Sequence, residues 1–426
     1  MEFTTIKGFR DILPDETPYW QKVEQSAREV FKTFGFNEIR TPILEYTELF
    51  ARTIGTDTDI VSKEMYTLTD SKGRGLTLRP EATASVARAL IQNRLYQQGG
   101  VQKLFCIGPM FRHERPQKGR FRQFHQINAE LFGDRGPKSD AEIIYLAVSL
   151  LDAFELRNLT LHLNSIGCPK CRPGFRQKLK EYLVDRSESL CADCKRRAET
   201  NPLRVFDCKV EGCKAIVQEA PVISEHLCEE CRDHFSLLRE YIQYIKMEVV
   251  LDPRLVRGLD YYTRTTFEIQ TEQLGAQNAV VGGGRYDGLV EQIGGPDLPG
   301  IGFAIGMERV MALLMERQGR KAARPDLFVA ALGSQAEKMS FTWAQELRKR
   351  GFWIEQEYAP KSLKAQMKRA DRLGCKRALI VGEREIETGM AIIRDMETKE
   401  QKEVPLDNIL EALVSKIMGE NAYNAR

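Results

Sequence analysis

The spacing of hydrophobic positions near the start of the chain predicts both helices and strands. Apolar residues recur at helical spacing from Thr17 to Gly35, which predicts an amphipathic helix. The segments NEIRTPILEY and QKLFCIGPMFR are typical of strands, and EATASVARALIQNRL between them is typical of a helix. A basic segment with a glycine then joins two apolar stretches, which predicts two antiparallel strands connected by a long loop.

The pattern changes twice farther along the chain. From Gly167 to Lys246 charges alternate on helical stretches and strand patterns vanish, which indicates an inserted, mostly helical module. Strand character then returns, and beyond the linker GRKAARP strands and helices alternate over about 100 residues, which indicates a separate α/β domain with a mainly parallel sheet. The predicted domains are residues 1–166 with 247–319, residues 167–246, and residues 325–426.

Length and composition exclude several classes of protein. With 426 residues, two or three domains are expected, and 42% hydrophobic with 29% charged residues excludes a mainly disordered, collagenous or coiled-coil chain. The net charge of +3 is too small to identify a polyanionic partner. The N-terminus has no apolar signal segment and no run of 18 apolar residues occurs, so a cytoplasmic location without a membrane partner is expected.

A local charge cluster indicates phosphate binding. The segment from Arg112 to Arg122 holds five cations and one anion, and Phe121 or Phe124 could stack on a base. A solvated charged loop is the alternative. ATP motifs of the P-loop kind are missing, and GIGFAIG lacks the third glycine of the dinucleotide fingerprint because Ile305 stands there. Tight turns and close strand packing explain such glycines equally well.

The cysteines form a second candidate site. Eight of ten fall between Cys168 and Cys231, in pairs at short spacing that is typical of zinc ligands, so one or two tetrahedral zinc sites are predicted. Buried reduced thiols are the alternative. The candidate ligands are Cys168, Cys171, Cys191, Cys194, Cys208, Cys213, Cys228 and Cys231.

Charge is polarised in the last domain. Residues 348–377 contain ten basic and three acidic residues, whereas residues 378–411 contain four and nine. A basic face on an α/β module fits contact with a nucleic-acid backbone, although lysines that are merely solvated would give the same pattern. The candidate contact residues are Lys361, Lys364 and Lys368.

The segment LVRGLDYYTRTTFE predicts a strand. Alternation would send Arg257, Leu259 and Tyr261 to one face, and an ordinary strand with tyrosines in the core is an open alternative.

Several of these segments together resemble one family. GFNEIRTPILEYTELF, FRHERPQKGRFRQFHQ and GIGFAIGMERV resemble motifs 1, 2 and 3 of class II aminoacyl-tRNA synthetases, while KGFRDILP, TLRPEATA and RGLDYYTRT resemble signatures of histidyl-tRNA synthetases. The resemblance covers essentially the whole chain. It implies an α+β catalytic domain with a six-stranded antiparallel sheet, a helical insertion, and a C-terminal α/β anticodon-binding domain.

The resemblance also implies an activity. Family members activate L-histidine with ATP, accompanied by Mg²⁺, to give histidyl-adenylate and pyrophosphate, and then transfer histidine to the 3′ end of tRNA(His). Motif 1 forms the dimer interface in this class, so a homodimer is expected. The last domain is expected to bind tRNA.

Individual residues receive roles by the same resemblance. It implies that Arg112 binds the α-phosphate, that Arg309 binds the γ-phosphate, and that Arg257 is the catalytic arginine on the opposite side of the α-phosphate. The remaining ATP-binding residues are Glu114, Arg120 and Phe124. The histidine-binding residues are Glu81 and Thr83 near the ammonium, Gln126 at the backbone end, Glu130 and Tyr262 at the imidazole, and Tyr261, Tyr286, Arg112 and Arg257 around them.

Two other functions compete with this interpretation. A non-catalytic paralogue resembling the regulatory subunit of ATP phosphoribosyltransferase would sense histidine, but such relatives usually lack the last domain and lose the arginines at 112, 257 and 309, all of which are present here. An ATP-using amide ligase on the same fold would not predict RGLDYYTRT.

Overall fold

A large twisted sheet organises the N-terminal part of the chain. The computed structural model describes residues 3–56, 58–117, 119–245, 247–274, 278–318 and 324–418. The chain divides into two compact units, Met1–Arg320 and Lys321–Arg426. The predicted linker falls largely on residues 319–323, which lie outside the described residues.

The strands of the first unit are β1 (Asn37–Glu38), β2 (Leu44–Tyr46), β3 (Tyr66–Thr69), β4 (Gly75–Leu78), β5 (Gln102–Phe111), β6 (Gln123–Phe132), β7 (Thr160–Ser165), β8 (Glu248–Leu251), β9 (Thr263–Gln270), β10 (Ala279–Arg285) and β11 (Gly300–Gly306). Its helices are α1 (Thr17–Thr33), α2 (Thr47–Ile54), α3 (Thr83–Gln92), α4 (Pro137–Ala153), α5 (Arg172–Val184), α6 (Ala192–Thr200), α7 (Glu211–Gln218), α8 (Glu229–Ile242), α9 (Leu289–Gln292) and α10 (Met307–Gln318). Short 3₁₀ turns cover Leu95–Gln98, Ser187–Ser189, Pro202–Asp207, Ile223–His226 and Glu272–Leu274, and a π turn covers Ile60–Glu64.

The large sheet has the order β1-β5-β6-β11-β10-β9-β7-β8. Its six central strands, from β5 to β7 in this order, pair antiparallel as predicted, but the whole sheet has eight strands rather than the predicted six. The short strands β1 and β8 extend it by pairing parallel at the two edges. Strands β2, β4 and β3 form a separate small sheet.

One face of the large sheet is covered by helices. On α1, residues Trp20, Val23, Ala27 and Phe31 are buried, as their helical spacing predicts. They join the main core with the inward residues of β6 and with α4, α8 and α10. The alternate residues of β6 face the other side of the sheet, so this strand has a packed face and a face available for chemistry.

The segment from Gly167 to Ile245 is helical wherever it has regular structure, which agrees with the predicted mostly helical module. It has its own core, built from Phe175, Leu179 and Leu183 together with the cysteines. Its standing as a separate domain, like the other predicted boundaries, stays a prediction.

The predicted strand alternation through LVRGLDYY is wrong. Strand β8 ends at Leu251 and β9 begins at Thr263, and the residues between them form turns and irregular backbone. The backbone of this segment bonds to loops and side chains: Asp260 N donates to Ile54 O at 3.1 Å, and Asn164 donates to Leu255 O at 3.0 Å. Tertiary contacts therefore override the local pattern here.

The second unit is a small mixed α/β fold. Its elements are β12 (Leu327–Ala331), α11 (Ser334–Lys349), β13 (Ile354–Gln356), α12 (Leu363–Arg372), β14 (Arg377–Val381), α13 (Glu383–Thr388), β15 (Met390–Asp395), β16 (Gln401–Pro405) and α14 (Ile409–Met418). Strands β13, β12 and β14 are parallel, and β15 and β16 are added antiparallel at one edge. Among the residues that the structure describes, no helix is both long enough and apolar enough to cross a membrane.

A buried ionic network joins four elements of the first unit. Asp140 on α4 accepts hydrogen bonds from Arg285 on β10 at 3.0 Å, from Thr265 on β9 at 2.5 Å, and contacts His234 on α8 at 2.8 Å. Arg285 and Asp140 are fully buried. Burial alone would raise the pKa of Asp140, but the charge of Arg285 and the contact with His234 outweigh it and lower that pKa.

We predict that Asp140→Ala destabilises the first unit by about 3–5 kcal/mol, because it leaves a guanidinium buried without its main partner. The lowered pKa means that Asp140 stabilises the fold above its ordinary pKa and that this contribution is lost as pH falls, so the deficit should shrink in acid. Denaturant unfolding of variant and wild type at neutral and acidic pH measures this difference in the free energy of unfolding. Asp152→Ala on the same helix, where Asp152 is exposed and forms a surface ion pair with Arg157, should cost less than about 1 kcal/mol. Equal losses for the two variants would contradict the assigned role of Asp140.

Candidate active site

The open face of β6 presents three of the predicted binding residues in one line. Phe124, Gln126 and Glu130 are separated by even numbers of residues and therefore share a face. From Phe124 to Glu130 the strand spans about 20 Å, at roughly 3.4 Å per residue. This line is long enough for an amino acid joined to a nucleotide.

Glycines on the neighbouring strands form the floor of the site. Gly302 on β11 lies directly across from Glu130, and a methyl group on it would overlap the carboxylate of that residue. Gly282 on β10 lies under Arg257, and a methyl group there would overlap the guanidinium. The sheet therefore lacks side chains where these two charged groups lie across it.

Two buried carboxylates define one end of the site. Glu130 accepts a hydrogen bond from Thr83 Oγ1 at 2.6 Å and another from the hydroxyl of Tyr286. Glu81 accepts the backbone N–H groups of Thr83 and Ala84 at 2.8 and 2.9 Å, at the start of α3. Both side chains are almost fully buried.

Aromatic rings enclose the carboxylates. The Tyr261 hydroxyl donates to Glu81 at 3.4 Å, and its ring lies 4.7 Å from that of Tyr262 and 5.7 Å from that of Tyr286. Tyr262 packs over Gly284 of β10, next to the floor. The three tyrosines belong to one core cluster, so the predicted pocket residues Tyr261, Tyr262 and Tyr286 do come together.

Burial disfavours the ionised forms of the two carboxylates at this end of the site. Desolvation raises the pKa of Glu130 to about 8, against hydrogen bonds from Thr83 and Tyr286 that lower it. Desolvation likewise raises the pKa of Glu81, opposed by the backbone N–H groups that it accepts. A ligand that brings an N–H donor or a positive charge would favour the ionised carboxylates.

Arginines from neighbouring segments lie near the rest of this face. The guanidinium of Arg257 pairs with Glu268 on β9, one row along the sheet from Glu130. Arg112 donates to Pro80 O at 2.9 Å, and its guanidinium lies 5.4 Å from the ring centroid of Phe124.

The loop between β5 and β6 approaches the start of α10. Arg120 pairs with Glu114 within the loop, and the side chain of Arg309 lies 3.7 Å from the position that a side chain on Gly119 would take. Burial, and then the charge of Arg120, lower the pKa of Arg309. Residues predicted from motifs 2 and 3 therefore meet, and their crowded positive charges would be stabilised by an anion. Lys118 of this loop lies outside the described residues.

Comparison with known proteins identifies the family. The histidyl-tRNA synthetase sequence family matches residues 8–310, and the anticodon binding domain family matches residues 326–416. The chain belongs to the histidyl-tRNA synthetase family. A histidine–tRNA ligase from Desulfatibacillum aliphaticivorans is 54% identical over 97% of this chain and 98% of the relative, and one from Geobacter sulfurreducens is 51% identical over 95% and 97%.

Solved structures agree with this family membership. Apo histidyl-tRNA synthetase from S. aureus matches with a TM-score of 0.80 and 33% identity, over 97% of this chain and all of the other. An ATP phosphoribosyltransferase regulatory subunit/histidyl-tRNA synthetase from Bacillus halodurans shares the fold with a TM-score of 0.61 at 19% identity, over 90% of this chain and 98% of the other.

The unit that matches the anticodon-binding family carries the three predicted lysines on its surface. Lys364 and Lys368 lie one turn apart on α12, Lys361 lies just before that helix, and all three are exposed. Beside them is a cleft of about 300 Å³ that is lined by Phe341 and Tyr358, whose side chains are 56% and 82% exposed. Sequence analysis missed these aromatic residues, because nothing in their local pattern distinguishes an exposed ring from a core ring.

Two more residues of the candidate site escaped sequence analysis. Glu268 pairs with Arg257, and Thr266 lies in the same cross-strand row as Glu130 and Gly302. Alternation along β9 places both on one face, but only the strand register shows which face that is.

All eight clustered cysteines come together, in two groups of four. One group is Cys168, Cys171, Cys228 and Cys231, and the other is Cys191, Cys194, Cys208 and Cys213. In sequence order, the first cysteine pair meets the fourth pair, and the second pair meets the third. The spacing along the sequence does not indicate this combination.

We predict that Glu130→Gln stabilises the first unit relative to wild type more at pH 9 than at pH 6. A carboxyl whose folded pKa is raised to about 8 is ionised in the unfolded chain at neutral pH and takes up a proton on folding, so stability falls as pH rises from the ordinary range of a glutamate through that value. The amide cannot ionise and escapes this loss. The difference in thermal midpoint between variant and wild type should therefore increase with pH.

The exposed residue Glu291 supplies the matched control. The difference between Glu291→Gln and wild type should be nearly independent of pH over the same range. A pH-independent difference for Glu130→Gln as well would show that Glu130 is ionised throughout.

Proposed function

We propose that this protein is a histidine–tRNA ligase, which activates L-histidine with ATP to histidyl-adenylate and pyrophosphate and then transfers histidine to the 3′ end of tRNA(His). The observation that carries the proposal is the arrangement around the open face of β6, where the buried carboxylates of Glu130 and Glu81 lie at one end and arginines suited to phosphate, contributed by neighbouring segments, lie toward the other. Full-length similarity to proteins named histidine–tRNA ligase supports it.

The carboxylate end suits the side chain and ammonium of histidine. An imidazole N–H beside Glu130 would stabilise the ionised carboxylate that burial otherwise disfavours. Glu81 and Thr83 would face the ammonium group. Tyr261, Tyr262 and Tyr286 exclude water from this end. An amino acid without ring nitrogens would leave Glu130 unpaired, at a cost of several kcal/mol that provides specificity.

The arginine end suits the chemistry of adenylation. When the carboxylate of histidine attacks the α-phosphate, negative charge grows on that phosphate, and Arg112 with Arg257 would stabilise it from two sides. Gln126, whose buried Oε1 has no hydrogen-bond partner among the described residues, would orient the backbone end of histidine. Phe124 would stack on adenine, while Glu114, Arg120 and Arg309 would hold adenine and the outer phosphates.

Mg²⁺ is expected to arrive with ATP, because phosphate oxygens are the hard ligands that it prefers. It would neutralise the phosphates that leave as pyrophosphate. The carboxylates of Glu114 and Glu268 are oxygen donors beside Arg309 at this end of the site and could complete its coordination.

A regulatory histidine sensor is the second candidate, favoured by the fold shared with the Bacillus halodurans structure. It requires a histidine pocket but no arginines aimed at phosphate and no tRNA-binding unit. Arg112, Arg257 and Arg309 line the site here, and the C-terminal unit is present. We therefore prefer catalysis.

We infer that the active form is a homodimer in the cytoplasm. Motif 1 contributes Ile43, Leu44 and Tyr46, which are 43%, 39% and 50% exposed, and Leu68 on β3 in the same small sheet is 56% exposed. Apolar surface of this kind is typical of a protein interface. The location follows from the proposed substrates, since ATP and tRNA are cytoplasmic.

Histidine-dependent exchange of labelled pyrophosphate into ATP tests the proposal, because it reports substrate and chemistry together. We predict that wild type exchanges with histidine and that Arg257→Ala loses about a hundredfold in kcat, since one well-aimed donor is worth roughly 3 kcal/mol in the transition state. Histidine binding, measured by equilibrium dialysis, should change little.

The control is Arg52→Ala, which removes an exposed arginine on α2 and should exchange normally. Exchange with another amino acid and none with histidine would refute the ligase assignment. An unchanged kcat with a raised histidine KM would show that Arg257 only binds the ground state.

A separate prediction concerns tRNA. Reversing the charges of Lys361, Lys364 and Lys368 should raise the tRNA KM and flatten the salt dependence of binding, because each lost phosphate contact lowers the slope of log K on log salt by about 0.7–0.9. Pyrophosphate exchange should not change. Reversing Lys399 and Lys402, which lie on the acidic half of the same unit, is the matched control. Equal tRNA KM values for the triple variant and the double control variant would show that these three lysines do not contact tRNA.

A further inference from the structure

We propose that the helical module binds two zinc ions through its two groups of four cysteines, and that these sites hold in place the loop that carries Arg257 and Tyr262. The outer site is Cys168, Cys171, Cys228 and Cys231, and the inner site is Cys191, Cys194, Cys208 and Cys213. The metal sites do not depend on the ligase assignment.

The sulfur positions match a mononuclear tetrahedral metal. Within each site all sulfur atoms lie within 4.8 Å of one another. Cys168 Sγ lies 3.6 Å from Cys171 Sγ and 3.9 Å from Cys228 Sγ, and Cys191 Sγ lies 3.9 Å from Cys208 Sγ. Four thiolates at about 2.3 Å from one zinc are about 3.8 Å apart. A disulfide would require about 2.05 Å, so these sulfur atoms are spaced for a metal.

The surroundings of the sulfur atoms suit thiolates. The backbone N–H of Cys228 donates to Cys171 Sγ at 3.1 Å, and that of Cys191 donates to Cys213 Sγ at 3.3 Å. Cys191 and Cys228 also stand at the N-cap positions of α6 and α8, where the helix dipole favours negative charge. Four cysteines in a tetrahedral set select zinc over hard cations. The module has a small core in which all eight cysteines take part, and such cores commonly require a metal or a cross-link.

Between two ligands of the inner site, the chain presents residues that contact the first half of the loop from Arg257 to Arg264. Between Cys194 and Cys208, Arg204 donates to the carbonyl of Arg257 at 2.9 Å, and Asn201 donates to Asp260 at 3.0 Å. Since the inner site closes the segment that presents these side chains, a metal there would fix both contacts.

The outer site is joined to the second half of the same loop. Arg172, which follows Cys171 directly, donates to the carbonyl of Tyr262 and, at 3.2 Å, to that of Ile166. Gly167, which precedes Cys168, accepts the backbone N–H of Arg264 at 2.8 Å. The two sites thus hold the backbone at the two ends of the segment from Arg257 to Arg264, which has no strand partner along most of its length.

Zinc analysis of the full-length chain, purified without chelator, tests the metal sites. We expect two zinc ions per chain in wild type, one in Cys231→Ser, one in Cys213→Ser, and two in Cys375→Ala, whose cysteine lies in the other unit. Wild type without zinc and with all thiols titratable would overturn the proposal. So would bound iron, a disulfide within either group, or two zinc ions retained in either serine variant.

Hydrogen exchange of residues 255–264 tests the positioning role without any use of activity. Arg204→Ala should keep two zinc ions yet exchange several-fold faster in this segment, and Cys213→Ser should exchange faster with one zinc. Arg186→Ala is the matched control, because Arg186 packs on Tyr182 within the module, 3.9 Å from its ring centroid. Protection of the segment that is the same in wild type, Arg204→Ala and Cys213→Ser would overturn the positioning role.

Discussion

The carboxylate of Asp140 is the constraint around which the first unit is arranged. It is fully buried and joins helix α4 to two central strands and, through His234, to the helical module. A charge in this position must be matched by its partners, so it fixes how the module and the sheet can pack. Arg285 is followed directly by Tyr286, whose hydroxyl bonds Glu130. The network that supports the fold therefore also sets the position of one wall of the pocket.

The site itself separates opposite charges along one strand. Glu130 and Glu81 lie at one end, in surroundings that disfavour their ionisation, and guanidinium groups crowd the other. Ionisation of the two glutamates and the positive charge of Arg309 are disfavoured by their surroundings, so a ligand group of the opposite sign would stabilise each of them. A molecule with a cationic or N–H-bearing end and a polyphosphate end would do so at both ends.

Much of this arrangement was predictable from the sequence. The antiparallel strands around the basic loop, the helical module and the presence of Glu130 with Gln126 and Phe124 on one strand all follow from periodicity and from family motifs. The path of residues 252–262 did not, because its backbone bonds to distant loops rather than to a neighbouring strand. The grouping of the cysteines also required the fold, since spacing identifies pairs but not which pairs meet. Exposed aromatic residues such as Tyr358 carry no local signal.

The glycine floor has a consequence for how such a pocket can change over time. Gly282 and Gly302 leave no room for even one carbon atom beneath Arg257 and Glu130. A side chain at Gly302 would also meet the backbone carbonyl of Ala129, and one at Gly282 would displace the guanidinium of Arg257. A change in the floor therefore disturbs a charged group of the site directly, whereas the walls are made of separate loops and helices whose side chains can vary. A route to a different amino-acid preference, in evolution or by engineering, is expected to pass first through the walls.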